Sequence, residues 1–242
     1  MTFIDPEFDL VEALKKADEG DIYAIRNIIG YIAYQGEDEE DLLERKAEYI
    51  NKLAELEDPV ALIYLAERYR TGENVDRNVK LAIELYEKAA ERGVSFGNEC
   101  IGELYYRGEG VEQSYEKAFE YFTKDEDKKS PVTDYLLGEM YRLGQFVEKN
   151  DTVAKEHYLS IIHQNFPKLD SYYGPATFRL AEYSYAKADE GEIDEAWQYI
   201  EEARKEIDPD CLTVKGTGIT KEMIDDLWIQ IFREKEKERS HK

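Results

Sequence analysis

The sequence predicts an all-α protein, a right-handed α-solenoid of helix–turn–helix repeats with terminal capping helices. Three observations predict it. Residue types recur in columns 36 positions apart. Within each copy the apolar residues fall at helical spacing. Glycine and helix-capping residues recur at the same places between the helical stretches.

The register is read by setting "LAERYRTGENV" (65–75) above "IGELYYRGEGV" (101–111) and "LGEMYRLGQFV" (137–147). Leu65, Ile101 and Leu137 share a column, as do Tyr69, Tyr105 and Tyr141. Leucine and tyrosine four apart lie on one helix face. The small column Ala66, Gly102, Gly138 lets a neighbouring helix approach closely. Gly72, Gly108 and Gly144 fall where the first helix must end, in a left-handed conformation. Two residues on, Asn74, Gly110 and Phe146 suggest a column that tolerates substitution, so Gly110→Ala is expected to be mild beside Gly108→Val. Val75, Val111 and Val147 plug the loop, and Asn78, Ser114 and Asn150 stand as N-caps of the second helix. That helix carries Ala82, Ala118, Ala154 and then Tyr86, Phe122, Tyr158 to pack back on the first. No single pair can bury its own faces, so the pairs must stack.

These residues resemble the Sel-one-like repeat, a relative of the tetratricopeptide repeat, with the pattern A-x3-L-G-x2-Y-x2-G-x-G-V followed by a helix near K-A-x2-W/Y-Y-x-K-A-A-x2-G. Residues 61–93, "ALIYLAERYRTGENVDRNVKLAIELYEKAAERG", follow it almost throughout. The expected organisation is one domain over 1–242, with degenerate N-terminal helices (1–57) and repeats at 58–93, 94–130 and 131–172. A tetratricopeptide-like repeat (173–209) and a capping helix (220–238) complete it. In the fourth unit Leu180 and Ala181 keep the register, but the glycine column is lost and the link from the third unit is longer. A short helix from Pro6 to Ala17, capped by Asp5, is expected to precede the stack. Thr220 is expected to cap a final helix whose stripe Met223, Ile224, Leu227, Trp228, Ile231, Phe232 has helical period.

Composition restricts the partners. There are 55 acidic against 32 basic residues, a formal net charge of −23. Phosphate binding rests on clustered Lys and Arg, so nucleic acid is not the expected ligand. An anionic membrane surface is disfavoured for the same reason. No apolar run is long enough to span a membrane, and the first 20 residues do not read as a signal peptide, so a cytoplasmic protein is expected. Two cysteines and three histidines without ligand spacing suggest no metal site, no disulfide framework and no cofactor.

No pattern points to catalysis. "GEG" at 108–110 recurs as "GEN" and "GQF" with no following Lys-Ser/Thr, so it is part of the repeat rather than a phosphate loop. No nucleophile elbow or zinc-helix motif is present. His157 takes an apolar slot of the second helix, where packing is the expected role, and Cys100 is expected to be half-buried and inert.

First helices line the concave face of such stacks. Offsets of −2, +2 and +5 from the leucine column are expected to face that groove. They are Ile63, Glu99, Tyr135, Phe178; Glu67, Glu103, Glu139, Glu182; and Arg70, Tyr106, Arg142, Tyr185. The glutamates also read as a solvated face satisfied by i,i+3 arginines, whereas exposed aromatics have no such local partner. The expected function is a non-catalytic scaffold or adaptor that holds a protein or peptide, with a basic partner favoured, as in an immunity factor neutralising a toxin. The resemblance implies protein–protein interaction too, often in bacteria. The alternative is a hydrolase or small-ligand-binding protein. Penicillin-binding members of the resembled family carry regular cysteine pairs, and this chain does not.

Overall fold

The computed structural model describes residues 10–35, 40–124, 130–163, 172–188, 192–206 and 217–240. Over these the chain is helical, with twelve helices. They divide into two compact units, 1–114 and 115–242, and the division falls between the two helices of the second repeat.

The first unit holds α1 (Leu10–Asp18), α2 (Ile22–Gln35), α3 (Glu40–Glu55), α4 (Pro59–Thr71), α5 (Val79–Glu91) and α6 (Phe96–Arg107). Each packs on the next in chain order. The second unit holds α7 (Tyr115–Thr123), α8 (Pro131–Leu143), α9 (Asp151–His163), α10 (Tyr173–Tyr185), α11 (Ile193–Glu206) and α12 (Lys221–Ser240). Its helices also pack in order, and α12 additionally reaches α10. The Asp5–Pro6 start expected for the first helix lies outside the described residues.

Helix limits follow the sequence signals. Asp58 caps α4, accepting from the backbone N–H of Val60 and Ala61 at 3.0 Å each, with Pro59 in the first turn. Asn78 accepts from Leu81 at 3.2 Å, Asn150 from Thr152 and Val153 at 3.1 Å, and Thr220 from Met223 at 3.2 Å. At the far ends of α4, α6 and α8, Gly72, Gly108 and Gly144 have φ of 82°, 68° and 69°. Each closes its helix with an N–H···O=C bond to the residue four back.

The loop column two residues later is not permissive. Asn74, Gly110 and Phe146 have φ of 57°, 73° and 65°, so each of these three copies turns left-handed twice. A β-carbon on Gly110 would stand 2.4 Å from Cγ2 of Val79. The expectation of a mild Gly110→Ala is therefore overturned: the variety of side chains hides a shared backbone conformation.

The core is built from the predicted columns. Ala66, Ala82, Ala118, Ala154, Ala181 and Ala196 are fully buried, and Tyr86, Phe122 and Tyr158 fill the space they leave. A β-carbon on Gly138 would meet the Tyr158 ring at 2.6 Å, so the small column admits the second-helix ring. In the second unit the final pair closes on an aromatic cluster. Trp197 and Trp228 lie 5.6 Å apart, Phe232 stacks on Trp228 at 5.3 Å, and the Arg204 guanidinium sits 4.6 Å over Trp228. Of the predicted α12 stripe, Ile224, Leu227 and Ile231 are buried, while Met223 and Phe232 stay exposed.

Candidate interaction surface

The glutamate column turns inward where a second-helix tyrosine can meet it. In the first unit the Tyr86 hydroxyl donates to Glu67 Oε1, and Arg70 reaches the same carboxylate at 2.8–3.3 Å. Arg70 also donates to Glu109 in the next loop at 2.9 Å. In the second unit Tyr158 donates to Glu139 Oε1 at 2.6 Å, and Arg142 donates to both Glu139 oxygens at 2.9 and 2.6 Å. Arg179 on α10 then crosses to Glu139 at 3.0 and 3.3 Å, while its other nitrogen meets Glu182 at 2.8 Å. Phe122 occupies the tyrosine column of the second repeat, and Glu103 pairs inside its own helix with Arg107.

Glu139 is almost wholly buried. Burial alone would raise its pKa. The Arg142 hydrogen bond, the Arg179 charge and the Tyr158 hydroxyl outweigh burial and hold the carboxyl below its ordinary range. Burial and the Glu139 charge together push the Tyr158 phenol up, well out of the physiological range. In the first unit the register position of Arg179, one before the leucine column, is held by Cys100. Burial, then the charge of Glu67, pushes that thiol up as well. Cys100 is thus buried rather than half-buried, and is not a ready nucleophile.

Two of the three predicted aromatics of the second unit, Tyr135 and Phe178, are not surface residues. Tyr135 is 0% exposed and Phe178 1%. Tyr135 lies between Tyr158 (5.8 Å) and Tyr172 (5.2 Å), and α10 is flanked by α9, α11 and α12. The offset that faces outward on one first helix is therefore covered on another. Glu139, predicted at the groove, is likewise enclosed by its arginines and Tyr158. The remaining predicted residues, Ile63, Glu67, Arg70, Glu99, Glu103, Tyr106, Arg142, Glu182 and Tyr185, are half-buried.

Sequence reasoning missed the apolar groups that are exposed. On α4 these are Val60 (53%) and Tyr64 (43%), and at the start of α6 Phe96 (48%). Val60 and Phe96 share one column, five before the leucine, so the signal was present in the register. Half-buried Ile63, Glu67, Glu99 and Glu103 lie on the same two helices.

His157 is held by structure rather than poised for chemistry. Its Nδ1 lies 3.0 Å from Asp134 Oδ1, the Ser160 hydroxyl donates to Asp134 Oδ2 at 2.8 Å, and the imidazole stacks on Tyr141 at 5.8 Å. A serine nucleophile needs the imidazole as its base, whereas here the hydroxyl points at the carboxylate. Among the described residues no group of three or more His, Cys, Asp or Glu is placed to hold a metal ion, and no helix is long and apolar enough to cross a membrane.

Residues 59–94, 101–124 and 133–166 match the Sel1 repeat. No curated protein matches the chain in sequence. Among solved structures it is similar to a protective antigen of uropathogenic Escherichia coli that displays an SLR fold. Identity is 21% and the TM-score 0.66, over 82% of this chain and 41% of that one. It is also similar to a Sel1 repeat protein from Oxalobacter formigenes, at 23% identity and a TM-score of 0.62, over 83% of this chain and 56% of that one. The chain thus spans about half the length of these proteins or less, and at such identities the likeness concerns the fold.

Proposed function

We propose that this chain, which carries three Sel1 repeats, is a non-catalytic binding module that takes a basic protein or peptide segment on the first helices of its first unit. Sel1 repeats typically serve protein–protein interaction, which supports the class of function. The observation that carries the reading is the exposure of Val60, Tyr64 and Phe96. Large apolar groups that cluster at the surface mark contact sites, and Val60 and Tyr64 lie one helical turn apart on α4. Glu67, Glu99 and Glu103 lie on the same helices, and the net charge of −23 favours a cationic partner and speeds its encounter.

The test is capture of the partner from the native host, followed by surface plasmon resonance with the purified pair. Tyr64→Ala and Phe96→Ala should speed dissociation, each costing ~2 kcal/mol or more if it is a hot spot. Glu103→Gln should instead slow association and flatten its salt dependence. Variants that all bind like the parent would remove this face from consideration.

A further inference from the structure

We draw no further inference here: the strongest candidate, the exposed apolar groups Tyr23, Val60 and Phe96 at the starts of α2, α4 and α6, extends the surface already described, and nothing in the structure shows what covers it.

Discussion

The Tyr158 hydroxyl donates to Glu139 at 2.6 Å across one helix pair, and Tyr86 makes the same bond to Glu67 two repeats earlier. The separation is 19 residues in both, so the first and third repeats share this bond, while Phe122 removes it from the second. Tyr158→Phe should cost about 1–3 kcal/mol, because it leaves a buried carboxylate short of a donor. Tyr86→Phe should cost less, since Glu67 is partly open to water. Denaturant melts of both variants check the order; a larger loss at Tyr86 would mean that burial does not set it.

Glu139 also predicts a pH dependence. Its folded pKa lies below its unfolded one, near ~4.3, so its contribution is complete above that value and is lost as pH falls through the folded pKa. Glu139→Gln should flatten the loss of stability below about pH 4. At neutral pH the same substitution should cost about 2–3 kcal/mol, because Arg179 and Arg142 lose the carboxylate they share, while Arg179 keeps Glu182 as counter-charge. Thermal melts at stepped pH test both effects.

Gly97→Ala separates sequence from structure. The column four before the leucine holds Ala61, Thr133 and Ala176 in the other copies, so alanine looks like a restoration worth ~1 kcal/mol of helix propensity. A β-carbon on Gly97 would, however, meet the Tyr86 carbonyl oxygen at 2.3 Å, against backbone that cannot rotate away. The expected outcome is a net loss of about 1–3 kcal/mol. A raised melting temperature would show that α5 and α6 can separate freely.

Gly110→Ala should be costly for two reasons, a left-handed φ of 73° and the contact with Val79. About 1–2 kcal/mol comes from the backbone and the rest from overpacking. Val79→Ala should relieve only the second part, giving a coupling of ~1 kcal/mol or more in a double-mutant cycle. Additive losses would locate the whole effect in the backbone.

Cys100 should resist alkylation in the folded protein. Its thiol is buried and pushed up by that burial and by Glu67, so little thiolate forms at neutral pH. Iodoacetamide labelling mapped by mass spectrometry should be at least about tenfold slower than for an unfolded control.

The helix pairs, their caps and the alanine and aromatic columns were legible because a 36-residue register repeats each environment. Gly108 at φ 68° and Asn78 over Leu81 are examples. The register does not say what covers a helix from outside. Tyr135 and Ile63 share an offset, yet Tyr172 and Tyr158 enclose the first and the second is half-open. The Arg179–Glu139 pair, 40 residues apart, follows from one copy placing arginine where another has cysteine. No local spacing rule contains it. The double left-handed turn was hidden for the opposite reason, since Asn74, Gly110 and Phe146 look unrelated while sharing one conformation.

The clustering of Trp197 and Trp228 has a spectroscopic consequence. They are the only two tryptophans of the chain, and both sit in the last helix pair of the second unit. Their emission, excited at wavelengths tyrosine does not absorb, therefore reports on that pair alone. Far-ultraviolet dichroism averages over all twelve helices. Coincident denaturation curves from the two probes would mean that both units melt as one cooperative block, and separated midpoints would give each its own transition.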